Sequence, residues 1–185
     1  MKYLCGMVCA VLFALSGFSG SALSQRTFAL GIGGGATLPV GKLSNTQDAG
    51  YNGTIALAMG VAELPIGIRL DGIYNKLLNN SQLSPGGGTF SSDLRVMGVL
   101  GNLIFAFSGT NAKPYVIVGG GLYNTKPDTA AAKSDNYFGV NAGLGATFGI
   151  GPFATFVESR YHSISRKAAK GGVMQFVPIT IGLMF

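Results

Sequence analysis

The chain has 185 residues and a net charge of +6, from 13 Lys and Arg against 7 Asp and Glu. Only 11% of it is charged and 48% is hydrophobic, with 30 glycines, where an ordinary soluble domain carries about 25% charge. One domain accounts for the length, and with so sparse a charge the basic balance alone does not imply nucleic acid, which is not expected as a partner. What has to be found is a place for the apolar side chains.

The first 24 residues, "MKYLCGMVCAVLFALSGFSGSALS", hold one basic residue, Lys2, an apolar run from Tyr3 to about Phe18, and small residues Ala22 and Ser24. This is the pattern of a secretory signal peptide cut after Ser24, and it leaves residues 25–185 as the expected domain. Both cysteines, Cys5 and Cys9, fall in the leader, so disulfide and thiol chemistry are not expected beyond it. Past Ser24 the longest apolar run, Val96 to Phe107, is a dozen residues and contains Asn102, too short for a helix that spans a membrane.

Period-two alternation between turn signals predicts eight strands. They run Thr27–Val40, Tyr51–Val61, Ile66–Leu77, Asp93–Phe107, Lys113–Thr125, Asn136–Ile150, Phe153–Ser165 and Val173–Phe185. In the first, "LGIGGGATLPVG" matches G-x-G-x-x-A, the fingerprint of a loop that cradles a dinucleotide phosphate. Here Gly31, Gly33 and Gly35 share one parity, and Pro39 interrupts the helix that such a loop must open. The glycines are expected to make space on the inner face of a strand, and no cofactor is expected.

Connections after strands two, four and six are short, and those after one, three, five and seven are longer and more polar. That arrangement predicts an all-β fold, an eight-stranded antiparallel up-and-down barrel with both termini at the short-turn end. In strands two, three, six and eight one parity is the more apolar, and the less apolar face taken together is mostly Gly, Ala and Thr with few charges; strands four and five are largely apolar on both. The small-residue face suits a narrow lumen. The apolar face is then left for lipid, making the barrel transmembrane.

At this point the chain resembles the OmpA/OmpX-like class of eight-stranded outer-membrane β-barrels. The resemblance runs from Thr27 to Phe185 and is carried by "GGGATLPVG", "KPYVIVGGGLY", "FVESRYH" and the terminal "PITIGLMF". It implies a bacterial outer-membrane location, with long loops extracellular and termini periplasmic. It also implies that Phe185 serves as the recognition signal for the outer-membrane assembly machinery. The class hosts several functions, so it does not choose among them.

The inward parity of strands three and seven gathers Arg69, Asp71, Asn75, Glu158, Arg160 and His162, with Asn141 of strand six. An ionised group in a narrow lumen is costly unless paired. Arg69 and Arg160 are therefore expected to neutralise Asp71 and Glu158, forming a plug, with His162 paired to a lumen carboxylate. Two alternatives remain, a lipid A-modifying hydrolase and a small-solute channel. Outer-membrane deacylases of similar size use a histidine, a serine two residues on and a glutamate nearby. "RYHSIS" offers Ser163 and Ser165 at offsets one and three from the only histidine, and strand eight offers Gln175 in place of an acid. The expected function is therefore a non-enzymatic barrel that stabilises the envelope or presents its loops, with no metal site.

The long-loop end carries Lys42, Lys76, Arg95, Lys126, Lys133, Arg166, Lys167 and Lys170 against Asp48, Asp93, Asp128 and Asp135. Such a rim suits outer-membrane lipid, lipopolysaccharide in particular. Tyr51, Tyr74, Tyr123, Tyr137 and Tyr161 near the same end are expected to form an interfacial aromatic belt.

Overall fold

A sheet whose two edge strands pair with each other has no exposed edge, and this chain closes in that way. A computed structural model describes residues 28–60, 64–80, 92–129, 133–150, 153–166 and 172–185. Its strands are β1 (Phe28–Val40), β2 (Gln47–Gly60), β3 (Ile66–Asn79), β4 (Leu94–Ala106), β5 (Ala112–Pro127), β6 (Asp135–Ile150), β7 (Phe153–Ile164) and β8 (Met174–Met184). Each pairs antiparallel with the next, and β8 returns to β1. The last residue completes the seam, because Phe185 and Leu30 exchange both backbone hydrogen bonds, at 2.8 and 3.1 Å. The expected signal peptide, Lys167 and Lys170 lie outside the described residues.

Strand boundaries follow the predicted ones except in β2, which begins four residues earlier, at Gln47. A bulge between Asp48 and Tyr51 breaks the alternation there, and a pattern of strict period two cannot register an extra residue. The connection from β1 to β2 contains a 3-10 turn, Gly41–Asn45, entered through Gly41 at φ +62°. That conformation favours glycine, and it lets Leu43 reach the buried cluster at the mouth of the barrel. Pro178 sits inside β8, and the β7–β8 register is interrupted between Ser159 and His162, opposite that missing N–H.

The outer wall is apolar on every strand. Ile55, Leu122 and Leu144 are each 66% exposed, and Phe28, Ile68, Val99 and Ile181 stand open on other strands. Such a continuous belt is far larger than the apolar patches of a soluble monomer. Strands of 11 to 16 residues meet or exceed the ~9–11 that a tilted membrane strand requires.

β4 and β5, undecided by pattern, place Leu94, Val96, Leu100 and Asn102, and Tyr115, Ile117 and Tyr123, on the buried inner side. The tyrosine belt needs a correction. Tyr51 and Tyr161 face outward, and Tyr51 stacks on Tyr74 at 6.3 Å. Tyr123 is fully buried and Tyr137 packs against the same inner cluster. Both lie on the lumen parity of β5 and β6, where a ring fills space instead of meeting an interface.

Candidate functional site

The inner face is built in layers along the barrel. Nearest the short turns, Phe156 is buried against β1 and β8, where Gly33 and Gly182 face it. A Cβ on Gly33 would lie 2.9 Å from the Phe156 ring, so glycine here gives the aromatic room. The apparent dinucleotide fingerprint of β1 therefore belongs to lumen packing. Tyr115 lies over Gly145 in the same manner, and any Cβ at Gly145 would overlap its ring.

The next layer holds four charges. Arg69 and Asp71 come from β3, and Glu158 and Arg160 from β7. Arg69 Nε lies 3.0 Å from the Asp71 carboxylate and its Nη2 2.8 Å from that of Glu158. Arg160 Nη1 lies 2.7 Å from Asp71, and its Nε 2.7 Å from Glu158. Each cation thus bridges both carboxylates and each carboxylate both cations, in a neutral ring no member of which exceeds 3% exposure. Coulombic attraction is strong where water is excluded, and the desolvation it offsets is of similar size.

Two groups that parity could not assign complete the ring. Tyr115 Oη donates to Glu158 at 2.8 Å, and Asn102 Nδ2 donates to Asp71 at 2.8 Å. Asn141 Nδ2 in turn donates to Asn102 Oδ1 at 3.0 Å. Gly119 and Gly143 sit opposite these long side chains, since a Cβ at Gly119 would overlap Asn102 and one at Gly143 would overlap Arg160. The glycines of β5 and β6 and the charges of β3 and β7 are two halves of one packing solution.

His162 and Asn75 occupy the layer above. His162 is fully buried, shares a 2.8 Å hydrogen bond between Nδ1 and Tyr123 Oη, and stacks on Phe176 at 4.9 Å with planes 8° apart. The expected carboxylate partner is corrected to a phenol. The carboxylates of Asp71 and Glu158 are bound up in the arginine ring one layer below, whereas Tyr123 turns inward beside the imidazole. Asn75 Oδ1 accepts from Thr37 Oγ1 at 2.8 Å, and Asn52 Oδ1 accepts from Thr180 Oγ1 at 2.9 Å. A cavity of about 10 Å³ lies between Asn52, Asn75, Arg160 and His162, the room of about one water. Above it, Ile73, Leu77, Leu94, Val96, Leu100, Ile164, Met174 and Phe176 close the long-loop end with an apolar layer.

The geometry separates the residues a hydrolase would combine. His162 points into the lumen, whereas Ser163 has the outward parity of β7 and Gln175 that of β8, so neither is on the imidazole's side of the wall. Among the described residues no cluster of three His, Cys, Asp or Glu could hold a metal ion. Phe185, the remaining singled-out residue, is at the seam, 36% exposed on the outer wall.

Fold and lumen together define a class: small closed barrels with an apolar wall and a filled polar interior. Among solved structures the chain is similar to Neisserial surface protein A, NspA, with a TM-score of 0.64 at 14% identity over 86% of this chain and 96% of that one. It also matches the N-terminal barrel of Pseudomonas aeruginosa OprF, at TM-score 0.49 and 14% identity over 85% and 97% of the two chains. Yersinia pestis Ail matches at TM-score 0.47 and 14% identity over 87% and 100%. At this identity the likeness to NspA is one of fold. No protein-family model and no curated protein matches the chain.

Proposed function

We propose that this chain is a small, non-enzymatic barrel of the bacterial outer membrane. In this reading its lumen is a structural plug, and it works by stabilising the envelope or by presenting its long connections outside the cell. The observation that carries the reading is an apolar wall around a charge-neutral ring sealed between aromatic and apolar layers. The wall calls for lipid, and the sealed ring offers neither a reactive group nor a path. The partners are outer-membrane lipid, lipopolysaccharide included, and the assembly machinery, which would read the terminal strand and Phe185.

Two measurements test it. With Ser134→Cys in the β5–β6 connection and Ser108→Cys in the β4–β5 turn, a membrane-impermeant maleimide on intact cells should label the first and spare the second. The reverse pattern, or labelling of neither after export, overturns the location. Mass spectrometry of lipid A from hosts expressing wild type or His162→Ala should show identical acylation. Loss of an acyl chain with wild type only would make the protein an enzyme.

A further inference from the structure

The cations of the long-loop end are not spread evenly around the wall. The strand register places Tyr51 of β2 beside Lys76 of β3, Lys76 beside Arg95 of β4, and Arg95 beside Lys126 of β5. All four share the parity of outward residues such as Leu70, Met97, Val99 and Leu122. The outward faces of β1, β6, β7 and β8 carry no charged side chain. One sector therefore presents a row of three cations, with an aromatic pair, Tyr51 and Tyr74, at its end.

Counter-charge is distributed unequally along that row. Lys76 takes both nearby carboxylates, Asp128 at 2.9 Å and Asp93 at 3.1 Å. Asp128 feels Arg95 and Lys126 as well, but its carboxylate is bonded to Lys76. Among the described residues neither Arg95 nor Lys126 closes a salt bridge. Like charges directly opposite on paired strands repel, and a third group of opposite sign, bridging the two, would relieve this. One row nearer the membrane centre, Asn124 Nδ2 donates to Asn136 Oδ1 at 2.7 Å, so an amide pair borders the cations on the same wall.

We infer that Arg95 and Lys126 form a lateral site for the phosphate of an outer-leaflet phosphoglycolipid, with Asn124, Asn136 and the Tyr51–Tyr74 pair beside its sugar. Guanidinium matches phosphate oxygens in a bidentate fork, and Lys126 adds a point charge. The apolar row below, Met97, Val99 and Leu122, lies where acyl chains descend. Lys76 and its two aspartates anchor the row, and among the described residues no carboxylate lies within salt-bridge distance of the other two cations. The inference rests on the proposed outward orientation of the long connections, which places this sector in the outer leaflet.

The test uses the full barrel refolded in detergent, with retained lipid counted by native mass spectrometry. The probes are bisphosphorylated lipid A, dephosphorylated lipid A and inorganic phosphate. Wild type should hold bisphosphorylated lipid A, and Arg95→Gln/Lys126→Gln should weaken it by roughly 25-fold, about fivefold for each cation near an anionic lipid surface. Lys113→Gln at the short-turn end should change nothing, and circular dichroism and heat-modified gel mobility report that all variants are folded. Equal retention by wild type and the double variant, or no loss on dephosphorylation, overturns the site. Tight binding of inorganic phosphate alone overturns the lipid assignment in favour of a free-anion site. The maleimide labelling separates the two failures: loops outside with no difference in lipid A retention sinks this site only, and loops inside sinks the orientation on which it rests.

Discussion

The residues of the charged ring are useful together and harmful apart. Glu158 accepts from Arg69, Arg160 and Tyr115 at once. Replacing it with Leu leaves two buried guanidinium groups sharing one carboxylate, and breaking a buried pair from one side costs about 3–5 kcal/mol. Glu158→Leu should therefore lower the stability to urea of the refolded barrel by that order, and an unchanged midpoint would show that the ring carries no stability. The exposed cluster at the loop end behaves differently. The hydrogen bond from Lys76, and then its charge, hold the Asp128 carboxyl below the usual carboxylate range. A depressed folded value adds stability that is complete above the unfolded value and lost as pH falls through the folded one. Asp128→Asn should remove a small acid-limb component from the pH profile of unfolding and leave stability between pH 6 and 8 with the same slope.

Among the elements, the two faces of each strand make different demands, which glycine substitutions can read. A Cβ on Gly33 of β1 would press on both the Phe156 ring and the Ile181 carbonyl, each 2.9 Å away, whereas a Cβ on Gly72 of β3 meets nothing within 4 Å. Gly33→Ala should thus destabilise the barrel by displacing Phe156 and the β8 backbone at Ile181, by about 1–3 kcal/mol for overpacking. Gly72→Ala should be neutral or stabilising by up to about 1 kcal/mol, because it mainly restricts the unfolded chain. Paired urea titrations would show it, and equal effects would mean that the faces are misassigned. The same distinction explains what could be read in advance. Strands three and seven each carry charged side chains two residues apart, Arg69 and Asp71 and then Glu158 and Arg160, so these four could be placed inside and opposite one another from sequence. β4 and β5 are apolar on both faces, so Asn102, Tyr115 and Tyr123 had no parity to declare them. One signal was present: Asn102 is the only polar side chain between Val96 and Phe107, and a lone amide in a lipid-bounded strand belongs inside. The apolar layer at the loop end was hidden because Leu and Val in a lumen look no different from Leu and Val in lipid.

For the molecule as a whole, the ring's position decides what can pass. Charges line the lumen, yet Phe156 and Tyr115 lie below them and the Leu77–Phe176 layer above. The cavity between holds only about 10 Å³, and an eight-stranded barrel has room for little beyond its own side chains. Planar-bilayer recordings of the purified barrel should show no stepwise openings across ±100 mV. Regular steps that vanish in Glu158→Gln would instead reveal a polar path through the ring.

Asn102 has a further consequence for how this barrel finds its pairing. Inward Val96, Leu100 and Ile104 and outward Met97, Val99, Leu103 and Phe105 are nearly interchangeable, so a slip of β4 by one residue would trade like for like along most of its length. Such a slip would turn the one amide out of its bonds to Asp71 and Asn141 and into hydrocarbon. Asn102 therefore works as a key to the docking phase of β4 in mid-strand, and Arg95 backs it at the loop end, where the same slip would turn a guanidinium into the Leu77–Phe176 layer.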